Sequence, residues 1–361
     1  MSPLPLCAAC RSSYGFPMLL LAEFIVIIVG VAVLVCYFFP VGASALAQSG
    51  SRNVAPIALR TKRSAFKAYR LTDSTFLIVE VNDIYSEHPY IYAKLVPAAN
   101  TILVLDTGCG GASNDRDVEI TSLREFIETV GVEDNGGKPL NERGRMRYVV
   151  ALSHCHYDHI LGVEDFAKDS PILESSYSPS FVSRANLPTH SLCSNLGIRT
   201  PVFTPTLVPH NRPVLSAFGT PVGMTVLHTP GHTPDEIAMW DADDLMLYVG
   251  DTVYEFEPII FPNEGDIRIW LSTIDELVAV VMSSTSPAEV MINSGHRTTM
   301  RPALEVLRTA KQFMVDVLLG KEKVRSRTRR RGLDYVEYVQ DGGRYSLQCP
   351  ERLIREARDI V

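Results

Sequence analysis

The stretch Ser153-His154-Cys155-His156-Tyr157-Asp158-His159 puts four groups able to bind a metal within six residues. Histidine offers a neutral nitrogen to a borderline ion such as zinc, and a carboxylate offers an anionic oxygen. A lone histidine is ordinarily a core or surface residue, but three histidines and an aspartate at this spacing point to a metal site. The stretch follows an apolar run, Tyr148–Leu152, that reads as a buried strand. A strand end is where a rigid scaffold presents ligands on a loop. Cys155 sits between two candidate ligands and by alternation points away from them.

His154-x-His156-x-Asp158-His159 resembles the H-x-H-x-D-H signature of the metallo-β-lactamase superfamily. Leu105-Asp106-Thr107-Gly108 resembles the D-T-G turn that precedes that signature. Thr229-Pro230-Gly231-His232-Thr233 resembles the segment carrying the third histidine, Gly250-Asp251-Thr252 the one carrying a bridging aspartate, and Ser294-Gly295-His296 the final G-H. The resemblance spans roughly residues 66–320 and implies an αββα sandwich. It implies a first ion on His154, His156 and His232, a second on Asp158, His159 and His296, and Asp251 bridging the two. Two zinc ions, or other divalent metals, would then share a hydroxide that attacks an ester-like carbonyl. Asp158, also a ligand, and Tyr254 are the candidates for catalytic roles. Asp106 reads equally as an acceptor for a ligand imidazole or as a turn residue. His228, four residues before His232, reads as a packed or surface residue, and His88, His190 and His210 have no motif around them.

Variations within the motifs narrow the chemistry. Asp251 holds the bridging position and no cysteine lies between Cys193 and Cys349, which disfavours a β-lactamase. His156 stands where flavodiiron-type proteins have glutamate. Thioesterases of the glyoxalase II type, lactonases, RNase Z-like phosphodiesterases and persulfide dioxygenases remain. Asp251-Thr252-Val253-Tyr254 resembles the D-x-x-Y of acyl-homoserine-lactone lactonases, in which a phenol could stabilise an oxyanion. Aromatic packing at the start of a loop explains Tyr254 equally well. Ile160-Leu161-Gly162 and Pro234-Asp235-Glu236 depart from the lactonase pattern. The expectation is a zinc-dependent hydrolase acting on a small ester, lactone or thioester. Nucleic-acid phosphodiester cleavage and a catalytically silent, membrane-attached binding protein are the alternatives.

The elements that must position these residues follow from periodicity. Phe66–Leu71, Thr75–Val81, Tyr90–Pro97 and Thr101–Asp106 read as strands, and Val118–Val130 as a helix. Residues 186–222 are proline-rich with little periodicity, as in an insertion or a substrate loop. Strands at Met224–Thr229, Glu236–Asp241, Asp244–Val249 and Glu289–Asn293 alternate with helices at Ile267–Met282 and near Pro302–Leu319, so two sheets covered by helices are expected. With 46% hydrophobic and 21% charged residues the chain is globular. Its net charge of −7 argues against a nucleic-acid surface over the whole protein.

Outside the catalytic region, taken as residues 65–320, four segments are expected. Residues 1–17 are a tail. Residues 18–39 carry a single charge, Glu23, and are long enough to cross a bilayer. They read as a single-pass anchor to the membrane or as a secretory signal cleaved near Ala47. Residues 40–64 are a linker. Residues 321–361 form a basic extension whose run Lys321–Arg331 has seven basic residues and one acid, expected as a solvated helix end or loop.

Overall fold

The structure, a computed structural model, describes residues 62–330 and 332–359. The apolar run of residues 18–39 lies outside the described residues. Among those described, no helix is long and apolar enough to cross a membrane.

Seven strands form the first sheet in sequential order: β1 (Phe66–Arg70), β2 (Thr75–Glu80), β3 (Tyr90–Val96), β4 (Thr101–Leu105), β5 (Arg147–Ala151), β6 (Ile172–Ser175) and β7 (Pro205–Val208). β1 to β4 run antiparallel and β4 to β7 parallel. The second sheet begins with β8 (Arg212–Leu215), β9 (Pro221–His228), β10 (Ile237–Asp241) and β11 (Met246–Tyr248). The chain then leaves this layer as β12 (Pro258–Ile260) and returns as β13 (Met291–Asn293) and β14 (Arg301–Pro302), giving the order β14-β13-β11-β10-β9-β8.

Strand alternation sorts the core into layers. Leu103, Leu105, Val149 and Ala151 of the first sheet meet Val226, Ile237, Met239 and Tyr248 of the second. On the outer face of the first sheet, Ile102, Val104 and Val150 pack on Leu123, Phe126 and Ile127 of helix α1 (Leu123–Thr129). β4 is therefore buried on both faces, which is why it reads as an unbroken apolar run. Three one-turn helices come next in the chain, α2 (Tyr157–Ile160), α3 (Leu187–His190) and α4 (Cys193–Leu196), followed by the longer α5 (Ile267–Met282), α6 (Ala303–Leu318) and α7 (Glu351–Arg358). Helices α5 and α6 cover the outer face of the second sheet through Trp270, Ile274, Leu277, Val306, Leu307 and Phe313. The architecture is an α/β sandwich of two sheets with helices outside.

Three differences from the sequence reading have physical causes. Helix α1 begins at Leu123, not Val118, because the Ser122 hydroxyl accepts from Glu125 N at 3.1 Å and caps it there. The proline-rich stretch 186–222 holds α3, α4, β7 and β8. β7 begins on Pro205, which at a strand start forfeits little of the ladder, and pairs in parallel with β6. The basic run, expected as a helix end or loop, is mostly a strand. β15 (Val324–Arg330) pairs antiparallel with β16 (Leu333–Val339), β16 with β17 (Ser346–Pro350), and β17 in parallel with β12. Strand pairing satisfies its backbone while the charged ends stay in water.

This third sheet shares its core with the sandwich. Val336, Tyr338, Leu347, Leu353 and Ile354 are buried in one cluster with Trp270, Phe313 and Val317. Leu353→Ala should cost about 2–5 kcal/mol, the usual range for a buried leucine, measured by denaturant unfolding. A chain ending at Gly320 should expose this cluster and fail to give a cooperative unfolding transition. A cooperative transition with wild-type midpoint would show the third sheet to be a separate unit.

Candidate metal centre

β4 and β5 end side by side, with Leu105 opposite Ala151. Beyond that point Asp106 N donates to Ala151 O at 2.9 Å. Asp106 turns the chain with a positive φ of 62°, a conformation that aspartate tolerates better than most residues. Its Oδ1 accepts from Ser153 N at 2.6 Å, and its Oδ2 accepts from the Ser153 hydroxyl at 2.8 Å. Oδ2 also lies 3.0 Å from His159 Nδ1. The two readings of Asp106 are thus one device: it ends the strand and aims a ligand ring. The Ser153 hydroxyl in turn lies 3.0 Å from His154 Nδ1.

The second sheet delivers the other groups. The loop between β9 and β10 is closed by Thr229 N on Glu236 O at 2.9 Å and carries His232. Gly231, at φ +146°, lies so near helix α5 that a Cβ there would fall 2.6 Å from the Trp270 Cα. Only glycine permits that approach. The Thr273 hydroxyl on Pro230 O at 2.6 Å and Trp270 Nε1 on Thr252 O at 2.6 Å tie the His232 and Asp251 loops to the same helix. His296 follows β13, and its Nδ1 lies 3.0 Å from Glu87 O, which leaves Nε2 facing inward. A Cβ on Gly295 would sit 2.3 Å from Asp251 Oδ1, so this position must also stay bare.

Six side chains from these loops, together with Asp251, converge. His154, His156 and His232 form one group in which His156 Nδ1 is 2.8 Å from His154 Nε2 and 3.2 Å from His232 Nε2. Asp158, His159 and His296 form another, with Asp158 Oδ2 3.4 Å from His159 Nε2 and 3.3 Å from His296 Nε2. Asp251 faces both. Its Oδ1 is 3.4 and 3.6 Å from His159 and His296 Nε2, and its Oδ2 is 3.9 and 4.0 Å from His154 and His232 Nε2. Two ligands at zinc–nitrogen distance in a tetrahedral shell stand about 3.3 Å apart, close to these spacings. All seven side chains are buried. His159 Nε2 and Asp251 Oδ1 have no hydrogen-bond partner among the described residues, as expected of atoms directed at an ion. The donor set therefore fits divalent metal.

The electrostatics differ between the groups. Burial holds His154 and His156 below the usual imidazole range, and drives His232 down to about 3. These rings are neutral and ready to coordinate. Burial also opposes charge on His159 and His296, but the surrounding carboxylates prevail. Asp158, Asp251 and Asp106 hold His159 well above its ordinary value, and Asp251 and Asp158 bring His296 to about 10. Burial likewise disfavours charge on Asp158 and Asp251, yet His159 and His296 keep both well below the carboxylate range. The carboxylates thus favour the protonated form of both rings wherever no cation meets them.

The remaining histidines stay outside the cluster. His228 Nε2 lies 3.1 Å from Val208 O, His210 accepts from His228 N at 3.1 Å, His190 stacks on Phe181, and His88 meets Asp83. Cys155 is buried on the core side. Tyr254 is buried beside His296, with ring centroids 5.4 Å apart. Its hydroxyl donates to Pro258 O at 2.9 Å and accepts from Ile260 N at 3.4 Å, so it is engaged by its own loop and β12.

The metallo-β-lactamase superfamily model matches residues 141–296. A protein of Aspergillus versicolor named putative transcription factor avaE is 32% identical over 311 residues, covering 82% of this chain and 89% of that protein. The chain belongs to the metallo-β-lactamase superfamily. The human acyl-coenzyme A thioesterase MBLAC2 is 25% identical over 201 residues, covering 52% of this chain and 67% of the relative. Among solved structures, a metallo-β-lactamase family protein from Thermus thermophilus aligns with a TM-score of 0.50 and 16% identity, over 72% of this chain and 85% of that one. That likeness is one of fold.

A cavity of about 350 Å³ opens on the ligand groups. Its lining includes His156, Asp158, His232, Asp251, Tyr254 and His296, and beyond them Leu192, Ile260, Leu333, Tyr335 and Arg330. The last three belong to β15 and β16, which the motifs do not reach. Glu236 was also missed as part of the site. Its Oε1 accepts from Asp251 N at 2.9 Å, and burial, then the charges of Asp251 and Asp235, push its carboxyl well above the usual range. Its adjacency to the third-histidine motif was the available signal.

The position of the third histidine is testable directly. His232→Ala should lose bound metal and activity together, and His228→Ala should lose neither, by metal analysis of purified protein. A second expectation concerns pH. A raised histidine adds stability that is complete below its ordinary value of 6.5 and disappears as pH climbs through the folded value, about 10 for His296. The melting temperature of EDTA-treated protein should therefore fall as pH rises from 6.5. Glu80 and Glu174, each pushed from 4.5 to about 8 by burial, add a fall of their own that ends near pH 8, with or without metal. The informative quantity is the difference between forms. Excess zinc should shrink the alkaline fall, because coordination replaces both protons. Parallel curves would show that His159 and His296 are not charged.

Proposed function

We propose that the chain is a dinuclear, zinc-dependent thioesterase. The observation that carries this reading is Asp251, whose two carboxylate oxygens face two separate ligand groups. One ion would rest on His154, His156 and His232, the other on Asp158, His159 and His296, with Asp251 between them. When bound, such a pair supplies an activated water at neutral pH and polarises the carbonyl under attack.

The chain's own groups do the rest. Asp106 and Glu87 O fix the outer nitrogens of His159 and His296, so the rings cannot swing as charge develops. Glu236, whose carboxyl burial pushes well above the usual range, accepts from the Asp251 N–H and steadies that loop. Leu192, Ile260, Leu333 and Tyr335 offer an apolar wall for an acyl group and displace water from it.

Thioester is preferred to lactone for two reasons. The acyl-coenzyme A thioesterase MBLAC2 is among the relatives. The Tyr254 hydroxyl, on which a lactonase reading would lean, is spent on Pro258 O. A thiolate also leaves with less need of a proton than an alkoxide. A phosphodiesterase is less well supported. Arg327 and Arg329 of the basic strand lie beside Glu351 and Asp334, whose charges partly offset theirs.

Wild-type protein carrying close to two zinc ions should hydrolyse acyl thioesters in a panel that also holds lactones, β-lactams and phosphodiesters. Losing a central oxyanion donor costs about 10²–10³ in kcat. Tyr254→Phe should fall well short of that on thioesters, with metal content unchanged. A loss of about 100-fold would place the hydroxyl on the reacting carbonyl, and cleavage of lactones but not thioesters by wild type would restore the lactonase reading. Full activity after demetallation would end the metal mechanism.

A further inference from the structure

The cavity wall furthest in sequence from the ligand loops comes from β15 and β16, where Arg330 stands opposite Leu333 and Thr328 opposite Tyr335. Arg330, Leu333 and Tyr335 all line the cavity. Among the described residues the lining holds five carboxylates, those of Glu87, Asp158, Asp251, Glu257 and Glu264, but a single arginine and no lysine. Asp158 and Asp251 belong to the metal groups, and Glu257 is neutralised by Arg297. Arg330 is not neutralised in this way. Its Nη1 donates to the neutral Gln348 Oε1 at 2.8 Å, and its guanidinium carbon lies 6.0 Å from the Tyr335 ring centroid. No carboxylate is paired with it among the described residues. Arg327 and Arg329 on the same strand have acidic partners in Glu351 and Asp334.

An amide acceptor and an aromatic face fix a guanidinium in direction without cancelling its charge. Such a group at the edge of a largely apolar cavity is suited to a planar or tetrahedral oxyanion. We propose that Arg330 is a specificity-determining residue that receives one anionic group, a carboxylate or a phosphate, at the end of the substrate remote from the scissile carbonyl. The apolar neighbours Leu333, Tyr335 and Ile260 then hold the chain between that anion and the reacting centre. Glu264, on the same lining, disfavours a second anion nearby. This rests on the hydrolase reading for the word substrate, but the anion site itself does not.

The test compares thioesters that differ only in the placement of charge, with holoenzyme. One is neutral, an acyl thioester of N-acetylcysteamine. One carries a phosphate on the thiol side, the same acyl group on 4′-phosphopantetheine. One carries a carboxylate on the acyl side, glutaryl-N-acetylcysteamine. Arg330→Gln should raise KM by about tenfold for whichever charged substrate reaches the site, with kcat nearly unchanged and the neutral thioester unaffected. Arg330→Lys should recover part of the loss. The effect should shrink at high salt, because the group is exposed. The arm that responds identifies the source of the anion. Equal changes on neutral and charged substrates, or none on either charged one, overturn the proposal. Unreactive thioether analogues of the three are titrated by calorimetry in parallel. If wild type cleaves none of the thioesters, the thioesterase reading fails. An Arg330-dependent preference for a charged analogue would still uphold the anion site, and its absence would reject it.

Discussion

Two carboxylates, Asp158 and Asp251, are buried where the ends of both sheets meet, and the rest of the structure answers to that placement. A carboxylate taken out of water is costly unless a cation or several donors meet it. Here five imidazoles are gathered around the pair. The carboxylates push two of them, His159 and His296, toward the protonated form against the effect of burial. A divalent cation held by these groups would supply positive charge while leaving the rings neutral. Binding of a cation there would release those protons.

Holding this arrangement needs contacts from every layer. β4 and β5 end together and hand over Asp106 and Ser153. Helix α5 anchors the His232 and Asp251 loops through Thr273 and Trp270. The two sheets are also joined by the buried ion pair of Lys94 with Asp241. Such a pair is weak as a source of net stability, but losing one partner would strand the other. Gly231 and Gly295 mark where backbone must approach closest, against Trp270 and against the Asp251 carboxylate. The ligands are thus fixed by the meeting of the sheets, and no single loop holds them.

Much of this was legible in the sequence because ligand chemistry is local. His154 to His159 lie within one short stretch of chain, and the later ligands sit in short glycine-containing motifs. The limits of β1 to β5 and of β9 to β11 lie close to the short apolar runs of the sequence, and helix Ile267–Met282 matches its expected range. What was not legible depends on distant partners. Nothing local to Tyr254 reveals that its hydroxyl meets Pro258. The run Lys321–Arg331 looked like solvated chain because its alternate residues are charged or polar. Its fold as β15 depends on β16, whose buried Val336 and Tyr338 join a core built mainly by α5 and α6. Periodicity inside one segment cannot report that kind of support.

The third sheet gives the fold its individual character. The candidate ligand groups occupy the seam of the two principal sheets, where almost any change would disturb their geometry. The wall of the cavity facing them comes from elsewhere: β12, which leaves the second sheet layer to pair with β17, and the β15–β16 hairpin beyond it. Glu255 links this wall to the site. It is buried, its side chain pairs with Arg344 before β17 and with Arg301 in β14, and its N–H donates to the hydroxyl of Thr298, two residues past His296. The wall is thereby held in register with the metal ligands without carrying any of them. Residues on it can vary in size and charge while the reacting centre keeps its geometry, which is the separation a hydrolase needs if one chemistry is to serve different substrates.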